Sequence, residues 1–427
     1  MRAILPALTC SAQATMLTGR LPREHGCVGN GWLERELMDV GLWRQSNRLV
    51  RGEKLYERAR TLDPKFTCAK LFWWWNLGAA VDFSLTPKPF YPADGRKLLA
   101  VYGRPDAWRA ELEHALGPFP FFDFWGPKSG LASTRWIADA TIHTLRTRRP
   151  TLTLAYLPHL DYDHQRFGPS AARSREALVE VDRVVGDLIA AADEVGAETV
   201  VVSEYGIEDA SKPVHVNRAL REAGLLAVRD TPVGETLDVF ASRAFAVADH
   251  QVAHVYAKPD ALGAAKAVLR ELDGVAEILD AAGKERQGLD HRNAGDLVAV
   301  ADKGAWFTYY FWLSDARAPD FARTVDIHRK PGYDPCELFV DPTLKLPMLH
   351  VARRLAQKKL GMRHLMDVIP LDATLVKGSH GRIPEEAIDG PVFLSSARWE
   401  RCGGPPEDGV VAMTSVPHRV LALLARP

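Results

Sequence analysis

The stretch from Pro150 to Gly206 limits the possible folds more than any other part of the chain. Thr151 to Leu157 (TLTLAYL) reads as a short buried strand. A polar loop is expected next, over His159 to Pro169 (HLDYDHQRFGP). Leu178, Val181, Val184, Val185, Leu188 and Ile189 then recur at spacings of three and four, which predicts a helix. Gly196 is a stop signal for it. Thr199 to Val202 (TVVV) is β-branched and reads as a second strand, running into Ser203-Glu204-Tyr205-Gly206. Strand, helix and strand at this spacing predict a parallel unit. In open parallel sheets chemistry gathers beyond the carboxyl ends of the strands. Asp161 and Glu204 both follow such ends, and two acids placed this way are the first hint of a metal site.

The remaining chain reads as additions to that sheet. A further helix is expected from Asn217 through Leu220 to Gly224. Residues 240–345 read as a small α+β insertion, with strands at Ala253 to Ala257 and Val275 to Leu279 around a helix from Ala261 to Leu272. Residues 40–130 are rich in Trp, Phe and Pro with weak periodicity and read as a cap or insertion that shapes a pocket. Within them Trp73, Trp74 and Trp75 are expected in the core rather than as a stacking platform. Residues 346–427 return to the core, so that 1–427 form one α/β domain.

Composition removes several function classes. Lys plus Arg total 54, as do Asp plus Glu, so bulk charge supports neither nucleic-acid coating nor polybasic membrane binding. The five cysteines lie far apart and contain no C-x-x-C, which argues against a disulfide framework and a thiolate zinc cluster. No stretch approaches the roughly 18 apolar residues of a spanning helix. The first residues do not read as a secretory signal, and a cytoplasmic protein is expected.

Residues 6–32 read PALTCSAQATMLTGRLPREHGCVGNGW. Ser11 to Leu17 can form a helical turn with Thr9 just before it. A hydroxyl there faces unpaired backbone N–H groups and the positive end of the helix dipole, a setting for an alkoxide or a bound phosphate. By local spacing alone, an N-cap is the simpler reading of Thr9 or Ser11. The wider pattern resembles the nucleophile segment of the alkaline phosphatase superfamily, in its nucleotide pyrophosphatase/phosphodiesterase branch. Thr9 stands ten residues before Gly19 of a Thr18-Gly19 pair; Pro22 to Gly26 matches P-x-x-H-G, and Asn30 falls where the branch often has Asn. Leu160 to Pro169 resembles a P-D-x-x-G-H-x-x-G-P stretch, with Asp161 at the metal Asp, Gln165 at the metal His, and His164 beside it. Ser203 to Gly206 resembles S-D-H-G, with Glu204 for Asp and Tyr205 for His. Gly378-Ser379-His380-Gly381 matches a late G-x-H-G in full.

The resemblance implies an alkaline phosphatase-like α/β fold, with a central, mostly parallel sheet flanked by helices. It implies a metal-dependent hydrolase of phosphodiesters, nucleotide pyrophosphates or related phosphate esters. Thr9 would be the nucleophile, passing through a phospho-threonine intermediate. Thr9, Asp161, Glu204 and His380 would be metal ligands, with Gln165, Tyr205 and His164 as further ligands or their supports. Zn2+ follows from the family, and the oxygen-rich set also suits Mn2+ or Mg2+. Only eight residues precede Thr9, too few for the strand that in the family ends on another metal-binding Asp. The family's phosphate-binding Asn is Ala12 here, and the neighbouring Gln13 could supply an amide donor. The expected partner is a small, nucleotide-like phosphate ester. A phosphomonoesterase or phosphotransferase, and a binding protein with impaired catalysis, are the alternatives. Three other groups are expected in supporting roles: Asp249, His250 and His254 (DHQVAH) structural or behind the ligands, Cys10 structural, and Asp326 to Asp334 (DIHRKPGYD) a solvated loop.

Overall fold

The computed structural model describes residues 1–94 and 96–425. One four-stranded sheet runs in the order Val101–Arg104, Phe83–Pro87, Cys68–Leu71, Leu152–Ala155. Cys68–Leu71 is parallel to both neighbours, and Val101–Arg104 is antiparallel to Phe83–Pro87. All of Cys68–Leu71 is buried, as a strand covered on both faces must be. The helix Leu131–Arg148 lays Trp136, Ile137 and Ala140 against Leu71, Leu85 and Trp108. Three of the four strands come from the 40–130 segment, which therefore builds the sheet as well as covering it.

The strands on either side of the long helix Ala172–Glu194 both exist but are not neighbours in one ladder. Leu152–Ala155 pairs with Cys68–Leu71, whereas Val200–Val202 pairs antiparallel with Phe393–Ser395. The valine run is half-buried, and the strand arriving from residues 346–427 satisfies its backbone groups.

His159–Phe167 is a helix, not the loop expected there, and Gly168 at φ 81° follows its last turn. Its register is supported one turn apart, by Gln165 Nε2 donating to Asp161 Oδ2 at 2.8 Å and by Arg166 pairing with Asp163 at 3.0 Å. A helix whose facing positions are polar leaves no apolar period to read.

A second sheet, antiparallel throughout, runs in the order Ala244–Asp249, Val252–Ala257, Leu297–Ala301, Val275–Leu279. Its first two strands are joined by the two-residue turn His250-Gln251, and His250 takes the left-handed conformation at φ 57°. That backbone is uncommon for a residue with a side chain. The turn is fixed by Gln251 N–H donating to the His380 carbonyl at 2.9 Å. The hairpin tip is thereby brought against Gly378–Ser379 and His380.

The helix Thr9–Thr18 has no side-chain cap from the residue before it and ends on Gly19 at φ 70°. Its supports explain the P-x-x-H-G and Asn positions. The buried His25 places Nε2 3.0 Å from the Thr15 hydroxyl, and its Nδ1 accepts from Cys27 N–H at 3.1 Å. Asn30 Oδ1 accepts the Cys10 N–H at 3.0 Å, and Asn30 donates twice to Asp249 at 2.8 and 3.1 Å.

The 326–334 segment is not simply solvated. Lys330 is buried and pairs with Asp334 at 2.7 Å and Glu337 at 2.6 Å. Glu337 also accepts from Asp326 N–H at 2.9 Å and from the Trp125 indole. This network fixes the backbone that carries Tyr333.

Removing one partner of such a network strands buried charge. Lys330→Ala is expected to cost about 3–5 kcal/mol in urea unfolding; a loss well under 1 kcal/mol would contradict the network's role. His25 gives a pH signature. Burial holds its pKa down to about 3, against 6.5 unfolded. The unfolded chain therefore binds a proton that the folded one refuses. Its contribution is complete above the unfolded value and falls as pH drops from there toward the folded one. The acid-side loss of stability over that window is expected to be shallower in His25→Gln, measured by urea midpoints across it.

Candidate active site

Thr9 is the first residue of its helix and is buried. Its hydroxyl serves no backbone N–H; Oγ1 lies 3.1 Å from the Tyr205 hydroxyl, with the Tyr156 phenol nearby. Tyr205 directs its proton to Asp161 Oδ1 at 3.5 Å. Its oxygen is then free to accept from Thr9, giving a chain Thr9–Tyr205–Asp161. Asp161 sits in the first turn of its helix, with Gln165 on the same side one turn later. His380 follows the short strand Gly378–Ser379, which pairs with Glu208–Asp209 just beyond Glu204 and Tyr205.

The site is lined by stacked rings. Tyr205 stacks on His380 with centroids 3.5 Å apart and planes 7° apart. His380 meets His250 at 3.8 Å, and His250 meets Tyr333 at 3.7 Å. Tyr333 donates to Gln165 Oε1 at 2.8 Å, closing the circuit. The Asp249 carboxylate accepts from His250 Nδ1–H at 2.8 Å, which leaves the His250 Nε2 lone pair bare and without a partner. His380 Nδ1–H donates to the Ala7 carbonyl at 2.8 Å. Its Nε2 is likewise unpartnered, 3.6 Å from Asp161 Oδ1.

Burial sets the electrostatics. It pushes Asp161 up to about 6, against the lowering effect of the Gln165 and Tyr205 hydrogen bonds. It pushes Glu204 up to about 8, with the Gln13 bond opposing and the Asp161 charge adding. The Tyr205 phenol is pushed well above its ordinary value, and His380 well below, both by burial first. The phenol therefore stays protonated and the imidazole neutral.

The expected residues are brought together only in part. Thr9, Tyr205, Asp161, Gln165 and His380 form one connected cluster. Glu204 enters it through Gln13, whose Nε2 donates to Glu204 Oε1 at 2.5 Å. The other end of the Gln13 amide accepts from Trp74 N–H. The oxygen of that amide is taken by Trp74 and one of its two N–H groups by Glu204, which leaves one N–H for a further acceptor. His164 turns away, bonded to the backbone at Ser174. Tyr156 and Tyr333 join the cluster without any sequence signal, since an isolated Tyr does not disclose its neighbours. Trp73, Trp74 and Trp75 are buried, Trp74 edge-on to Trp43 at 5.5 Å.

The donor set does not fit the pair of metal ions that the family pattern implies. Among the described residues no three His, Cys, Asp or Glu side chains converge as a metal cluster. Gln165 stands at a ligand position, but its Nε2 faces Asp161 and its Oε1 is taken by Tyr333. Tyr205 offers a protonated phenol, a poor ligand beside imidazole. Amide N–H groups from Gln165 and Gln13 already meet the carboxylates that an ion would neutralise. What survives is the Asp161–His380 pair with its bare Nε2.

Residues 1–334 match the type I phosphodiesterase/nucleotide pyrophosphatase family. No curated protein sequence matches the chain. Among solved structures, phosphonoacetate hydrolase from Sinorhizobium meliloti 1021, in complex with phosphonoformate, is 15% identical with a TM-score of 0.60, covering 99% of this chain and 86% of that one. An inactive variant of murine ectonucleotide pyrophosphatase/phosphodiesterase 5 in complex with AMP is 13% identical with a TM-score of 0.55, covering 99% and 85%. The human ectonucleotide pyrophosphatase/phosphodiesterase 5 is 12% identical with a TM-score of 0.52, covering 92% and 77%. With the Thr9 segment inside the matched residues, the chain belongs to the type I phosphodiesterase/nucleotide pyrophosphatase family and is a hydrolase of that type.

Proposed function

We propose that the protein hydrolyses phosphodiesters, nucleotide pyrophosphates or related phosphate esters with Thr9 as the nucleophile. The observation that carries this reading is the hydrogen-bonded chain from Thr9 Oγ1 through Tyr205 to Asp161. The family's members are metallo-hydrolases that use divalent ions, but the donor set here supports no step through such ions. The work is assigned to the chain's own groups. Thr9 Oγ1 forms a bond to phosphorus as its proton passes to the Tyr205 oxygen, and the Tyr205 proton passes to Asp161. The ester oxygen leaves with the electron pair of the broken P–O bond and is protonated by water. A second water then cleaves the phospho-threonine and restores the hydroxyl. The first turn of the Thr9 helix favours the negative charge that develops beside it. The phosphonoformate and AMP held by the two structural neighbours support a small phosphate or phosphonate as substrate.

Two variants test this with bis-(p-nitrophenyl) phosphate and p-nitrophenyl phosphate, each with EDTA and with added Zn2+, Mn2+ or Mg2+. Thr9→Ala is expected to lose turnover by on the order of a thousandfold or more, while Thr9→Ser keeps part of it. Wild-type rates in Thr9→Ala would remove the nucleophile. A preference for the monoester would favour the phosphomonoesterase reading. Tyr205→Phe keeps the stack on His380 and deletes only the hydroxyl. Its kcat is expected to fall about a hundredfold with KM little changed; unchanged kcat would exclude the Tyr205 step.

A further inference from the structure

The helix Pro347–Lys359 wears its polarity inside out. Its half-buried positions are Pro347, His350, Val351, Arg354 and Gln357, which share one face by their spacing. On that inward face His350 Nε2 and Arg354 both bond Asp367, at 2.8 and 2.7 Å. The outward side carries Met348 at 73% exposure, Leu349 at 64% and Leu355 at 51%. Leu346, Leu360 and Met362 extend it at 65, 75 and 54%. No residue of the helix is buried. A surface helix ordinarily turns such side chains to the core.

Charge is equally one-sided. Pro342 to Met366 contains six Lys and Arg and no Asp or Glu, in a chain of zero formal charge. Among the described residues only Arg354 of the six is ion-paired, to Asp367. Lys345, Arg353, Lys358, Lys359 and Arg363 are exposed and carry free charge.

We propose that this helix and its flanks dock the protein on an anionic phospholipid surface. Exposed Leu and Met with cations among them match that occupant: apolar groups reach the acyl boundary while cations meet the headgroups. A second copy would set free cations against free cations. Single-stranded nucleic acid would meet cations but no aromatic ring, since the stretch has no Phe, Trp or Tyr. Docking is peripheral, because no helix among the described residues is long and apolar enough to cross a membrane.

The test is co-sedimentation of the full chain with vesicles of phosphatidylcholine alone or mixed with phosphatidylserine. Binding is expected to the mixed vesicles and to fall at high salt. Lys358→Gln and Lys359→Gln should each weaken it about fivefold. The pair Leu355→Ser and Leu360→Ser should weaken it with charge unchanged, and thermal melting should not move. Three results would overturn the proposal: equal or no binding to the two vesicle types, binding indifferent to the Leu pair, or displacement of vesicles by single-stranded DNA. A concentration-dependent dimer abolished by the Leu pair would overturn it too, by assigning the face to a second copy.

Discussion

Two half-buried carboxyl groups govern how this site is built. A carboxylate removed from water needs compensation, by a cation, by N–H donors or by a proton. Here Asp161 is answered by the Gln165 amide and the Tyr205 phenol, and Glu204, pushed up to about 8, by a proton beside the Gln13 amide. That choice fixes much else. Once Gln165 turns its N–H to Asp161, its oxygen requires a donor, and Tyr333 supplies it from the segment held by Lys330. Once Tyr205 lies between Thr9 and Asp161, its ring covers His380.

The supports behind the nucleophile obey the same rule. Asn30 is bonded on three sides, to Cys10 N–H and twice to Asp249. Asp249 in turn holds His250 at the hairpin tip in a strained conformation. The sheet from residues 244–301 therefore contributes to the site through one turn. An Asp and a His that read from sequence as background are the hinge between two parts of the fold.

Legibility followed the physics of each signal. Apolar period exposed the Ala172–Glu194 helix, which buries one face, and two strands of the 244–301 sheet, Val252–Ala257 and Val275–Leu279. It missed the helix His159–Phe167, whose facing positions are polar, and it left unread the strand Cys68–Leu71, four residues long and buried throughout. Motif spacing picked out Thr9, Asp161, Tyr205 and His380, which the fold brings together, because backbone geometry at an element's end is local. It could not find Tyr156 or Tyr333, or foresee that Gln13 would link Glu204 to Trp74 and Gln165 would link Asp161 to Tyr333. Those outcomes depend on contacts between residues more than a hundred positions apart, or on which way an amide is turned.

The segment leading to the Thr9 helix is bound to late parts of the chain: Arg2 N–H to Val411, Ala7 N–H to Gly381, and the Ala7 carbonyl to His380, 373 positions away. During synthesis at about 5–20 residues per second, residue 7 waits roughly 20 to 75 s for that last partner. For that interval the nucleophile's helix has its early partners, Asn30, His25 and Trp75, but lacks the late strand that fixes its entry. A stop codon late in the message should therefore abolish the site while leaving most of the protein made.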